Sequence, residues 1–359
     1  MAKVFLKGNE AVAEAAVRSG CRFYAGYPIT PQNEIPEYMS RRLPEVGGTF
    51  IQGESEIASI QMLYGATGTG IRAMTSSSSC GISLKSEGVS FCASARLPVV
   101  YVNMGRGGPG IGSIQPAQQD YMQATKASGN GGFQMLVYSP STVQEAVDLT
   151  YNAFDKAQEY RNPVLILGDG VIATMMEQVE LPPERSAEEV KALREKNFSW
   201  CLHPRKSLDE PRYEIDAGRW STLELEERNK AAAAMYEGWK ENEVKVEEYM
   251  VDDAEVILTA YGISGRIAKS AVDILRAEGY KAGLIRPITV NPFPYKSFEN
   301  LDYSRVKAIL DVEMSIPALM IYDVKMAVKD RLPIETCLRS GGNIMNRDDV
   351  VAAAKKLFK

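Results

Sequence analysis

The chain has 359 residues, 45% of them apolar and 24% charged, an ordinary globular composition with length enough for two domains. A net charge of −5 argues against nucleic acid or an anionic membrane as partner. No apolar run approaches the roughly 18 residues of a spanning helix and no secretory signal opens the chain, so a cytoplasmic protein is expected. Five cysteines without a close pair and a single histidine leave little material for a disulfide framework, a cluster or zinc site, or a Ser–His–Asp triad.

In chain order, "GNEAVAEAAVRSG" predicts a helix capped by Asn9 and stopped at Gly20. "RFYAGYP" reads as a strand that gives out at "YPITP", where Pro28 and Pro31 restrain Tyr27 and Thr30. That segment is either a plain turn or the mount of a ligand-facing hydroxyl. "ESEIASIQMLYGATGTG" has helical apolar spacing. Glu54 and Glu56 lie at its start, where a carboxylate complements the helix dipole; two apart, they point in different directions. "IRAMTSSSS" predicts a strand entering a polar loop. "LPVVYVNM" and "NPVLILG" have the fully apolar, β-branched character of buried parallel strands.

Between residues 181 and 250 the chain turns charged and helical, with one long solvated helix expected at about 222 to 249. Trp220, Tyr236 and Trp239 offer a partner contact as the alternative. From 252, "AEVILTAYG", "KAGLIRPITV" and "VKAILDVEM" read as strands, separated by the helix "ISGRIAKSAVDILRAEG" and followed by the terminal helix "RDDVVAAAKKLF". Strands alternating with helices imply a parallel sheet covered on both faces, whose ligands gather at the carboxyl ends of the strands. "YPITP", "TSSSSCG" and "GRGGPGIG" each follow a strand.

The strongest local signal is "NMGRGGPGIGSIQPAQQDYM", a glycine-rich loop around Arg106. A guanidinium there is a natural clamp for a carboxylate or phosphate, while the glycines let backbone approach a ligand. Gly168-Asp169-Gly170 reads as a turn ending a strand, because no buried strand precedes Asn197 as a metal-binding motif would need.

"YPITP", "ESEIASIQMLYGATGTGIRAMTSSSS", "LPVVYVNMGRGGPGIG" and "ILTAYGISGRIAKSAVDILRAEGYKAGLIRPITVNPFP" together resemble the alpha subunit of 2-oxoacid:ferredoxin oxidoreductases over nearly the whole chain. The wording after Arg106 is most similar to the 3-methyl-2-oxobutanoate type, with 2-oxoglutarate and pyruvate enzymes as alternatives and a non-catalytic docking subunit as the contrasting class. The resemblance implies an α/β fold: a pyrimidine-binding thiamine diphosphate domain (1–184), a charged helical connection (185–250) and a transketolase C-terminal-like domain (251–359).

It implies that Glu56 bonds N1′ of the aminopyrimidine, with Tyr27, Pro28 and Ile29 against the cofactor. Arg106 would meet the substrate carboxylate, Thr30 would bond the substrate, and Gly107 and Gly108 would let backbone pass close to it. Ser76 to Ser79 depart from the family wording. Thiamine diphosphate is expected to be shared with a beta subunit, with Mg2+ and iron–sulfur clusters on partner chains and CoA as co-substrate. The implied partners are the beta subunit, a gamma subunit, a ferredoxin-like delta subunit and ferredoxin. A second basic residue facing a distal carboxylate would favour 2-oxoglutarate; Arg22, Arg72 and Lys126 are the candidates.

Overall fold

The computed structural model describes residues 3–205, 207–218 and 221–358; Trp220 lies outside them. β1 (Lys3–Lys7) leads directly into α1 (Gly8–Arg18). Lys7 caps this helix in place of the expected Asn9, its backbone N–H donating to Glu10 Oε2 at 3.1 Å. Asn9 lies buried in the first turn, and its amide nitrogen bonds Pro31 O and Glu34 Oε2, each at 2.7 Å. What the sequence offers as a cap is a tether that holds the turn after Thr30.

The alternation then continues through β2 (Phe23–Gly26), α2 (Glu34–Glu45), β3 (Thr49–Gln52), α3 (Glu56–Gly68), β4 (Ala73–Ser77), α4 (Cys80–Ser94) and β5 (Val99–Gly107). Beyond these come β6 (Ser113–Pro116), α5 (Tyr121–Thr125), β7 (Leu136–Tyr138), α6 (Val143–Tyr160), β8 (Val164–Asp169), α7 (Gly170–Thr174) and β9 (Met176–Glu180). Every residue of β4, β5 and β8 is buried, as strands covered on both faces require. Arg106 and Gly107, expected in a loop, are the last residues of β5. The chain turns back after them, and β6 gives their backbone an antiparallel partner.

α8 (Ala187–Glu195) and α9 (Thr222–Asn242) occupy the charged stretch. The long helix expected to reach 249 ends at Asn242, and β10 (Val246–Tyr249) follows. Glu247 opposes Arg286 across the strand pair and bonds its guanidinium at 2.6 Å, a cross-strand attraction that outweighs helix propensity here. α9 is largely exposed, but Tyr236 and Trp239 turn inward, and Trp239 packs edge-on against Tyr160 with ring centroids 5.4 Å apart. They serve the core of this chain and are not a surface contact.

The last stretch forms β11 (Val256–Thr259), α10 (Gly262–Ala277), β12 (Ala282–Pro287), β13 (Thr289–Asn291), α11 (Tyr295–Glu299), β14 (Ala308–Glu313), α12 (Ile321–Val328), β15 (Ile334–Leu338) and α13 (Arg347–Lys355). "KAGLIRPITV", read as one strand, is two. β12 joins a five-stranded sheet of order β10-β12-β11-β14-β15, whereas β13 pairs antiparallel with β7 at the edge of the large sheet. The large sheet runs β13-β7-β8-β5-β4-β2-β3, with β6 attached to β5; β2, β3, β4, β5, β7 and β8 are parallel. β1 and β9 form a small separate ribbon.

Buried polar groups join the two sheets' units. Gln118 Nε2 donates to Tyr261 O at 2.8 Å, while its Oε1 accepts from Ser264 Oγ at 2.5 Å and Met314 N at 3.1 Å. Asp323 accepts from Tyr121 at 2.7 Å, Lys126 at 2.9 Å and Tyr295 at 2.6 Å. Arg286 pairs with Glu145 at 2.6 Å. Replacing Gln118 by Ala would strand the Met314 N–H and Tyr261 carbonyl away from water. We expect Gln118→Ala to cost about 2–4 kcal/mol, read from urea unfolding; a loss under 1 kcal/mol would show that the joint does not depend on it.

Candidate functional site

Turns at the carboxyl ends of β2, β4 and β5 converge on the first turn of α4. The turn after β2 carries Tyr27, Pro28, Ile29 and Thr30; Tyr27, Pro28 and Thr30 are exposed. Pro31 and Gln32 are buried behind them, and the amide of Gln32 donates to Tyr27 O at 3.2 Å and meets Ser76 Oγ. With Asn9 bonded to Pro31 O, the backbone that presents Thr30 is fixed from two sides.

Arg106 is 6% exposed. Its Nη1 donates to Thr30 O at 2.9 Å and its Nη2 lies 3.2 Å from Cys80 Sγ. Its Nε is buried and has no partner among the described residues. Its own backbone N–H donates to Ser79 Oγ at 3.0 Å. Ser79 occupies a sparsely populated conformation, φ 34° and ψ −89°, which its surroundings must hold in place. They do so through Asn103 Oδ1, which accepts the Ser79 N–H at 3.0 Å, and Asp120, which accepts from Ser79 Oγ at 2.6 Å and Asn103 Nδ2 at 2.9 Å. Burial raises the Asp120 carboxyl above its usual range, opposed by these two hydrogen bonds and the Arg106 charge.

Glu56 opens α3 behind the Ser55 cap, which accepts from Ala58 N at 3.1 Å. It is buried, at 6% exposure, while Glu54 faces solvent, so the two carboxylates divide as their spacing implies. Gly81 is the neighbour that matters: a Cβ there would stand 2.6 Å from Glu56 Oε1 and 2.1 Å from Ser77 Oγ. Only glycine lets α4 approach the carboxylate this closely. One turn further along α4, Lys85 is fully buried and donates to Glu56 O at 3.3 Å. Burial lowers this ammonium to about 7, with the Glu56 charge opposing the shift.

The structure therefore gathers Thr30, Glu56 and Arg106 around one helix terminus: Arg106 bonds Thr30 and meets Cys80, and Glu56 abuts Gly81. Gly107 and Gly108 continue from Arg106 into the β5–β6 turn; Gly108 N donates to Gln119 Oε1 at 2.9 Å, and Gly107 backs onto Gly341 and Gly342. Arg22, Arg72 and Lys126 do not reach this place. The first two bond backbone and Asp155 at the amino ends of β2 and β4, and Lys126 is paired with Asp323. Asp169 caps α7, accepting from Val171 N at 2.9 Å and Ile172 N at 3.1 Å; burial pushes it up to about 6. Asn197 bonds Gly70 O at 3.0 Å instead.

Sequence reasoning gave Ser79 no role and missed Lys85, Asn103 and Asp120. Asn103 and Asp120 bracket the glycine-rich segment, but only the fold shows that they meet at Ser79. The buried Glu56 carboxylate, with the buried Ser77 Oγ and Arg106 Nε that have no partner among the described residues, fits a nitrogen heterocycle lying beside an anionic group. Large apolar side chains stand exposed around this place: Tyr27, Ile57 beside Glu56, Leu84 beside Lys85, and Ile111 and Ile114 beyond Arg106.

Residues 14–243 match the family model for pyruvate flavodoxin/ferredoxin oxidoreductase, thiamine diphosphate-binding, and residues 254–350 match pyruvate:ferredoxin oxidoreductase core domain II. The ketoisovalerate oxidoreductase subunit VorB of Methanothermobacter marburgensis is 44% identical over 99% of this chain and 98% of its own. The 2-oxoglutarate synthase subunit KorA of Methanocaldococcus jannaschii is 32% identical over 97% of this chain and 98% of its own. The solved 2-oxoglutarate:ferredoxin oxidoreductase of Magnetococcus marinus shares the fold, with a TM-score of 0.86 at 22% identity over 99% of this chain; this chain spans 65% of that one. No helix among the described residues is long and apolar enough to cross a membrane.

Lys85 supplies a stability test. Unfolded, its amine keeps the proton to the usual 10.5; folded, it sheds it near 7, so the native state gains stability as pH rises between these values. Lys85→Met removes the penalty. The variant should unfold at higher urea than wild type, most clearly at or below pH 7, and the gap should narrow towards pH 10. A gap that is constant with pH would show that Lys85 is not buried as a neutral amine.

Proposed function

Since the chain belongs to the thiamine diphosphate-dependent 2-oxoacid:ferredoxin oxidoreductase family, we propose that it is the alpha subunit of a branched-chain enzyme. The complex would convert 3-methyl-2-oxobutanoate and CoA to acyl-CoA and CO2, passing two electrons to ferredoxin. The higher identity to a ketoisovalerate subunit than to a 2-oxoglutarate subunit supports this substrate. So does the commitment of Arg22, Arg72 and Lys126 elsewhere, which leaves none of the three to face a second substrate carboxylate.

The observation that carries the reading is the joint placement of Thr30, Glu56 and Arg106 at the start of α4. In it, the Glu56 carboxyl holds a proton against a ring nitrogen of the aminopyrimidine, with Tyr27, Pro28 and Ile29 along the cofactor. When bound, thiamine diphosphate supplies the nucleophilic carbon for the 2-oxo group and the electron sink that lets CO2 depart. Arg106 orients the substrate carboxylate through its guanidinium, and its tie to Thr30 O keeps that group aimed. The Thr30 hydroxyl bonds the substrate, and Gly107 and Gly108 allow it close approach.

We further propose that a beta subunit seats on the exposed apolar fringe and shares the cofactor, holding its diphosphate and Mg2+. Gamma and ferredoxin-like delta subunits would complete the complex, with CoA as co-substrate and iron–sulfur clusters on partner chains carrying the electrons, within the cytoplasm. The chain divides on this reading into 1–184, 185–250 and 251–359.

Glu56→Gln tests the assignment. In the assembled complex we expect turnover to fall by about 10²–10⁴-fold, the usual worth of a positioned acid–base group, while the subunits still co-elute. Turnover within threefold of wild type would refute the role. Specific activities on 3-methyl-2-oxobutanoate, 2-oxoglutarate and pyruvate, measured on the same complex, decide the substrate. The isolated chain should show no activity; complete oxoacid oxidation by it alone would defeat the shared-site reading.

A further inference from the structure

At the amino ends of the central strands, opposite the site described, lies a second recess. It is a cleft of about 900 Å³ between the last turns of α4, residues 130–134, residues 214–217 and α9. That volume is in the upper part of the range typical of small-molecule sites. Three arginines line it: Arg96 on the turn from α4 to β5, Arg161 on the turn from α6 to β8, and Arg228 on α9. β5 and β8 are adjacent strands, so the sheet itself brings the first two together.

Both turn arginines have left-handed backbone, φ 58° at Arg96 and φ 46° at Arg161. Such positions favour glycine or asparagine, and a long cationic side chain at each needs a reason beyond the turn. Each is half-buried, and among the described residues neither forms an ion pair. Arg96 Nη2 donates to Tyr160 O at 2.7 Å, Arg161 Nε donates to Arg96 O at 3.2 Å, and the Arg161 guanidinium lies 4.3 Å above the Trp200 ring. These contacts fix the two side chains without neutralising them. Burial and mutual repulsion, including that of Arg228, bring Arg161 down to about 10 and lower Arg96 as well.

The carboxylates that line the cleft, Glu214, Asp216 and Glu237, are exposed, and Glu237 is paired with Lys240. The two turn arginines therefore lie deeper than these carboxylates, while Arg228 is exposed on α9 and pairs with Glu224 at 3.1 Å, in a chain whose net charge is −5. Phe91, Phe133 and Trp200 add aromatic surface to the walls. A single carboxylate would satisfy only part of this cluster. Guanidiniums fork onto phosphate oxygens, and three of them match an anion of three or four charges.

We infer that this cleft binds a nucleoside polyphosphate, its phosphates on Arg96, Arg161 and Arg228 and its base against the aromatic wall. Between Arg96 and the proposed oxoacid site lies β5 from Val99 to Arg106, roughly 23 Å at about 3.3 Å per residue, so the ligand is remote from that site.

Calorimetric titration of the assembled complex with ATP, inorganic tripolyphosphate and adenosine tests this. ATP should bind saturably at one site per chain, tripolyphosphate more weakly, and adenosine not at all. Arg161→Met should weaken ATP by about tenfold, the loss of one charge-assisted contact, and Arg228→Met by a similar factor. Oxoacid oxidation without nucleotide should stay unchanged in both. If Arg161→Met fails to assemble, the exposed Arg228→Met gives the result. Absence of saturable ATP binding, affinity unaltered by Arg228→Met, or tripolyphosphate or adenosine binding as tightly as ATP would overturn the inference.

Discussion

Gln118 bonds the C-terminal unit through its side-chain nitrogen, its side-chain oxygen and both of its backbone groups, which meet Met314 O and the Tyr261 hydroxyl. A buried amide this fully engaged tolerates little displacement, because any shift strands several polar groups at once. Two residues later comes Asp120, and from Asp120 the chain of contacts runs through Ser79 and Asn103 to the backbone of Arg106. The docking of one unit on the other is therefore the constraint from which the position of the guanidinium follows. On the proposed reading, in which this guanidinium orients a substrate carboxylate, it is better fixed by a packed interface than by its own flexible stem.

The same economy shows at the other side of α4. Glu56 is placed by its helix cap and by the missing side chain at Gly81, and Lys85 fills the space behind its backbone. Thr30 is placed from below by Asn9 and from the side by Arg106. None of these residues depends on a mobile loop of its own. At the edge of this place large apolar side chains stand exposed.

The parallel strands were legible because burial on both faces writes them as unbroken apolar runs, and the convergence of three turns followed from that alone. Thr30, Glu56 and Arg106 were legible through motif wording. Arg106 was misread as a loop residue, since glycine-rich sequence carries no sign that β6 will pair with it. Asn9 looks like a cap because capping is local, whereas its actual partners lie 22 and 25 residues away. β10 hides in a helix-forming composition, and only the opposing Arg286 draws Glu247 into a strand. Ser79, Asn103 and Asp120 are ordinary polar residues until the fold closes them into a ring. The cleft lined by Arg96, Arg161 and Arg228 is invisible for the same reason, its members being scattered over more than 130 positions.

β13 is a three-residue strand, yet it belongs to the sheet at the far side of the connecting segment. Without it, β7 would present an unpaired edge to solvent, the kind of edge that recruits other chains. A gene split or domain exchange at the connecting segment would look harmless on a linear map, but it would separate the large sheet from its own hem. Shuffling of this chain's parts in evolution or by design is thus restricted to rearrangements that carry residues 289–291 with the amino-terminal sheet.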